Sequence, residues 1–246
     1  MLIVLSPAKT LDETPAIPKG VTPAVPHFAT DAAALAKALA ALDEQQLTVL
    51  MGISPKLAAL NAGRFRHFAK QDAYPCAWMF RGDVYTGLDI DTLPAKALPH
   101  LQAQLRILSG LYGVLKPFDA MRPYRLEMGT KFAHAGAKDL YAYWGRRVSE
   151  QLNASGEAVL LNLASQEYAG VIDWDVLKLA PVTAHFKEKK GDQLKVVSLF
   201  AKKARGRMAR WVIEHQPRPQ DLPAFAEDGY RFVAAQSTPT DLVFAR

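Results

Sequence analysis

Apolar and polar positions along this chain change rhythm repeatedly, and the changes predict interleaved helices and strands. Leu2-Ile3-Val4-Leu5 is an unbroken apolar run closed by Ser6-Pro7, which reads as a buried first strand and not as a signal peptide. Thr14 to Pro26 carries four prolines and predicts a stiff extended connection. Thr30 to Leu42 is rich in Ala and Leu behind an N-cap threonine and predicts a helix. Asp43, with Gln46 three residues on, predicts a capped second helix that stops at Gly52. Ser54-Pro55 then supplies an N-cap and a first-turn proline for a third, running towards Phe65 and Phe68.

Further on, Ala77–Phe80, Ala158–Leu163, Val182–Lys187, Leu194–Phe200 and Tyr230–Val233 have strand-like composition. Leu98–Leu111, Asp139–Leu152 and Ala201–His215 read as helices, and Lys190-Gly191-Asp192 as a hairpin turn. Helices alternating with strands, at least one pair of them a hairpin, predict a single α/β domain over residues 1–246, a mixed sheet with surrounding helices.

Charge sharpens the picture. Between Lys187 and Arg210 stand nine Lys or Arg and two acids, a net +7. The whole chain carries +6, so everything outside that window sums to −1. Charge so localised points to a polyanionic partner, nucleic acid first. On a helix over 201–215, Ala204, Met208, Trp211 and Val212 fall on one side. Lys203, Arg207 and Arg210 then form a cationic ridge on the neighbouring side, flanked by Lys202 and Arg205.

The sharpest local motif is Leu50-Met51-Gly52-Ile53-Ser54. Helix, apolar-Gly-apolar turn and capped helix are the parts of a helix-hairpin-helix, at about 43–68. Backbone N–H groups around Gly52, Ile53 and Ser54 can meet a phosphate oxygen at the second helix's start, and Lys56 adds a point charge. Pro55 has no N–H and removes one donor.

Polar clusters follow several strands, where α/β folds place ligand sites. They are Ser6 and Lys9; Arg81, Asp83 and Tyr85; Ser165, Glu167 and Tyr168; and, further off, Arg122, Arg125 and Glu127. Converged, they would make a cationic cleft in which Lys9, Asp83 and Glu167 supply acid–base or lysine chemistry. Otherwise they are helix caps and surface ion pairs. The six histidines never pair at ligand spacing, and the lone Cys76, set in an apolar run, reads as a buried structural thiol. No metal or cofactor is called for, and no apolar run approaches a membrane span. One cysteine fits a reducing compartment, so a cytoplasmic location is expected, with no obligatory protein partner.

Six ordered segments carry a resemblance over nearly the whole chain: Leu5–Leu11, Phe80–Leu88, Leu108–Gly113, Pro123–Gly129, Asn162–Ser165 with Glu167-Tyr168, and Ala201–Gly206. The chain resembles the bacterial peroxide-stress YaaA family, UPF0246. The resemblance implies a cytosolic protein of the oxidative-stress response that limits damage from intracellular iron. It also implies DNA binding through a helix-hairpin-helix and a positive cleft, on a single-domain α/β fold peculiar to the family, with no established reaction. Two functions are therefore carried forward: a DNA-binding protein gripping duplex or locally opened DNA by its backbone, and an enzyme acting on a nucleic-acid base, sugar or nucleotide in the cleft. Direct iron sequestration is a third, without a supporting di-iron spacing.

Overall fold

A computed structural model describes residues 1–191 and 193–246. Leu2–Leu5 is a central strand, and all four side chains are buried. Val159–Asn162 pairs with it in parallel on one side and Leu105–Ser109 on the other. The sheet extends past Val159–Asn162 through Ala180–Lys190 and Asp241–Ala245, both parallel, to the antiparallel edge Arg231–Phe232. At the other edge Gly113–Leu115 returns antiparallel to Leu105–Ser109. Gln193–Lys195 folds back on Ala180–Lys190 and completes an eight-stranded mixed sheet. Lys190-Gly191 thus leads into a hairpin, while Asp192 lies outside the described residues.

The two capped helices expected on either side of Gly52 both form. Helix Glu44–Met51 starts at a complete Asp43/Gln46 capping box. It ends at Gly52, whose φ of 60° is the left-handed conformation a residue without Cβ adopts freely. Helix Pro55–Arg66 comes next, with Ser54 Oγ accepting from the Leu57 N–H.

Four expectations are corrected. Leu98–Leu111 divides into a helix to Gln104 and the strand Leu105–Ser109, because a strand buried on both faces is as continuously apolar as a buried helix. Ala77–Phe80 is mostly a helical turn, Cys76–Met79, with only Phe80 extended. Leu194–Phe200 is strand only as far as Lys195, and Ser198–Phe200 already belongs to the basic helix Ser198–His215. The first helix starts at Ala29 after Phe28, so Thr30 lies inside it and caps nothing.

The basic helix is locked onto the short helix Asp83–Leu88 by two glycines. A Cβ on Gly206 would lie on the carbonyl of Val84 and 2.7 Å from Leu88 N. One on Gly87 would meet Lys203 O and come 2.9 Å from Arg207 N. The two backbones touch, which fixes the basic helix beside the segment just after Gly82.

At the N-terminal end of the parallel strands, Asp119 is buried and accepts the Lys116 N–H at 2.8 Å. Burial pushes its carboxyl up to about 6, against the lowering effects of that bond and of Lys116, Arg106 and His27. A folded value above the unfolded one gives stability that is complete below the unfolded value and lost as pH rises through about 6. Asp119→Asn keeps an acceptor for Lys116. It is expected to be more stable than the parent at about pH 7.5, by on the order of 1 kcal/mol, and equal to it by about pH 4. Melting at both pH values checks this, and a gap independent of pH would refute it.

Candidate functional site

Leu5, Ser109 and Asn162 end three neighbouring parallel strands on one edge of the sheet, and the polar cluster is built on the segments just beyond them. Ser6 Oγ accepts the Ser165 N–H at 2.9 Å and lies 3.3 Å from Ser165 Oγ. This ties the first strand's exit to the loop that starts the turn Gln166–Ala169. Tyr85 OH donates to Ser6 O at 3.1 Å. Behind these stand more buried phenols: Tyr124 OH shares a 2.6 Å hydrogen bond with Ser109 Oγ, and Tyr112 OH accepts from Arg122 N–H at 3.1 Å. Burial pushes the Tyr85, Tyr124 and Tyr168 hydroxyls well up and that of Tyr112 to about 12. They therefore stay neutral and act as fixed dipoles.

In front lies the charged layer. Glu127 Oε1 holds both Arg125 Nη2, at 2.9 Å, and Lys9 Nζ, at 3.3 Å. The Glu127 side chain is only 13% exposed and its other oxygen is buried without a partner, whereas Lys9 is 65% exposed. Glu167 is held by the Gly129 N–H, 3.1 Å from Oε1. Lys9, Glu127 and Glu167 line one open cleft of about 640 Å³, and its other wall is Val49-Leu50-Met51-Gly52. The Gly52 turn and the strand-end cluster therefore face each other, with Lys131 at the rim.

Asp83 does not join them. It lines a separate cleft of about 590 Å³ with Thr86, Leu199, Phe200, Lys203 and Arg246. Gly82, next to Asp83, comes within 3.7 Å, at the position a Cβ would take, of the side chain of Ala8, next to Lys9. The expected reaction triad Lys9, Asp83 and Glu167 is thus divided between two clefts. Arg81 is occupied as well, bridging Asp12 at 3.0 Å and Asp91 at 3.2 Å.

The cationic ridge is corrected too. Arg210 is 12% exposed, with ion pairs to Asp89 at 3.3 Å and Glu214 at 2.9 Å. It also donates to the carbonyls of Leu88, Asp89 and Thr92, so it clamps the loop after the short helix. Arg207 is half-buried and reaches Asp228 at 4.0 Å. Lys202 and Lys203 are exposed, and among the described residues neither they nor Lys56 and Arg122 have a carboxylate within 4.0 Å. Arg205 is half-buried with a partnerless Nε, and burial alone draws its guanidinium downward. Arg122 lies 5.7 Å from the Phe68 ring.

Sequence reasoning passed over Thr130, Lys131, Phe200 and Arg246 as cleft residues. For the first three nothing local sets them apart. Arg246 reaches the cleft by stacking 4.8 Å from the rings of Phe200 and Tyr230, a contact between distant segments. Among the described residues no three His, Cys, Asp or Glu side chains gather to hold a metal ion, and no helix is long and apolar enough to cross a membrane.

Comparison with known proteins agrees with the sequence motifs. Residues 1–236 match the family model described as peroxide stress protein YaaA. A UPF0246 protein of Caulobacter sp. (strain K31) is 49% identical, over 100% of this chain and 99% of its own length. UPF0246 proteins of Aliivibrio fischeri (strain MJ11) and Polynucleobacter necessarius are 47% and 46% identical, each over 100% of this chain and 98% of theirs. The chain therefore belongs to the peroxide stress protein YaaA family.

Proposed function

We propose that this member of a peroxide-stress family binds DNA through the backbone and thereby limits iron-dependent damage. The observation that carries the reading is the shared cleft: the Gly52 turn, with a capped helix start behind it, faces Lys9 across an open groove of about 640 Å³. The Gly52 and Ile53 N–H groups already donate to Thr48 O, so it is the Ser54 and Lys56 N–H groups and the N-terminal helix dipole that favour a phosphate there. From Lys9 the surface runs by way of Ala8 and Gly82 to the second cleft and Lys203. Lys56 at one end and Lys202 and Lys203 at the other, cations without a carboxylate among the described residues, suit a strand of phosphates.

The link to iron follows from counterion physics. DNA condenses cations along its phosphates, and a protein that neutralises those phosphates releases them. Ferrous ions displaced in this way react with peroxide in solution, away from sugar and base. Phosphate contacts carry no sequence information directly, so little sequence preference is expected. Duplex titrations at three salt concentrations test the proposal. With five phosphates neutralised, log affinity falls against log salt with a slope of about −4 to −5, equally for unrelated sequences. A slope near zero, or no binding, would refute it.

One observation favours the enzyme reading: Glu127 keeps a buried, partnerless oxygen beside Lys9 and Arg125. A carboxylate so placed can take a proton from a group bound in the cleft. Under that reading Glu127→Gln preserves DNA affinity and abolishes turnover of a damaged or unpaired nucleotide, and product analysis by mass spectrometry reads the difference.

A further inference from the structure

Away from the cleft, at the N-terminal end of the parallel strands, Arg106 stands at the second position of Leu105–Ser109, facing no carboxylate within 4.0 Å among the described residues. It is 6% exposed. Its Nη1 donates to the carbonyls of Gln102, at 3.2 Å, and Leu105, at 2.7 Å. Its Nε is buried without a partner. Asp119 and Glu157 offset part of the charge from further away.

Arg106 lines two adjoining cavities, and Gln102 and Lys116 are shared between them. The inner one, about 210 Å³, adds His27, Asp119 and Gln151. The outer one, about 530 Å³, adds Lys19 and an apolar wall of Leu98, Pro99, Ala103 and Phe118. Gln102 is oriented by accepting the Phe118 N–H at 2.9 Å, which leaves its amide N–H₂ as a donor. Arg106 and Lys116, against the one carboxylate of Asp119, line a polar chamber beside an apolar one whose lining adds Lys19.

We infer that this double cavity is a binding site for a small organic phosphate, its anionic head on Arg106, Lys116 and Gln102 and its planar or apolar body along Leu98, Pro99 and Phe118. A buried guanidinium with unsatisfied donors gains a charge-assisted bond when an anion arrives, and two flanking ammonium groups add point charges. The apolar wall contributes only for a ligand with a body to bury, so head and body are separable. The site is independent of the DNA-binding cleft, which lies at the opposite strand ends.

Calorimetric titration of the intact chain tests this with two probes, inorganic phosphate for the head alone and AMP for head and body. AMP is expected to bind at least about 10-fold more tightly than phosphate. Lys19→Gln with Lys116→Gln, both exposed, should fold as the parent does and weaken AMP binding by about 10-fold or more. Ala103→Trp should block the outer cavity, abolishing the advantage of AMP while phosphate still binds. Duplex DNA affinity should stay unchanged in both variants, so failure here is distinct from failure of the DNA reading. The inference is overturned if neither probe binds, if phosphate binds as tightly as AMP, or if AMP binding survives both variants.

Discussion

Gly206→Ala should unfold much of the structure that positions the basic helix, although alanine is the better helix former by about 1 kcal/mol. The added methyl would sit on the carbonyl of Val84 and 2.7 Å from Leu88 N, both of them backbone atoms that no rotamer change can move aside. Overpacking of this kind costs about 1–3 kcal/mol, and more where backbone meets backbone. We expect a net loss of about 3 kcal/mol or more, read as a fall in melting temperature on the order of 10 °C for a chain of this size. Gly63→Ala is the matched control. Gly63 lies inside Pro55–Arg66 with nothing within 4 Å of the position a methyl would take, so propensity alone acts and stability should rise by about 0.5–1 kcal/mol. Urea denaturation of both variants decides the matter. A stabilised Gly206→Ala would mean that the two helices are not in backbone contact.

The contrast between those two glycines shows how far the fold was legible in the sequence. Capping boxes, N-cap serines and first-turn prolines act within four residues, and so the starts of the helices Glu44–Met51 and Pro55–Arg66, and the stop of the first at Gly52, were readable. Burial is a property of the whole fold. Leu105–Ser109 is buried on both faces because it lies inside the sheet, and no periodicity separates such a run from the end of the helix before it. The same limit governs the charges. Arg207 and Arg210 have the spacing of a cationic ridge, but their partners Asp228 and Asp89 come from distant segments. In the candidate site, the strand-end rule brought Ser6, Lys9, Glu167 and Ser165 to one edge correctly. It could not foresee that Glu127, not Asp83, would be the carboxylate beside Lys9, because no local spacing ties either residue to Lys9.

This partition of the arginines and lysines yields a decisive experiment on the proposed DNA surface. Lys202→Glu with Lys203→Glu should leave melting nearly unchanged, since both side chains are exposed and neither holds a carboxylate among the described residues. Removing two phosphate contacts flattens the salt slope by about 2. At about 0.1 M salt each contact is worth nearly a factor of ten, so affinity should drop on the order of 100-fold, and reversing the charges drives it lower. Arg210→Gln should behave in the opposite way. It strips a clamp from the carbonyls of Leu88, Asp89 and Thr92 and leaves Asp89 and Glu214 facing each other without their cation. Stability should fall by about 2–3 kcal/mol while the salt slope stays where it was. Melting and binding measured side by side on the two variants separate the alternatives. If Arg210→Gln flattens the slope and the lysine pair does not, the phosphates run along the clamped face of the helix and the lysine-bearing surface is the wrong one.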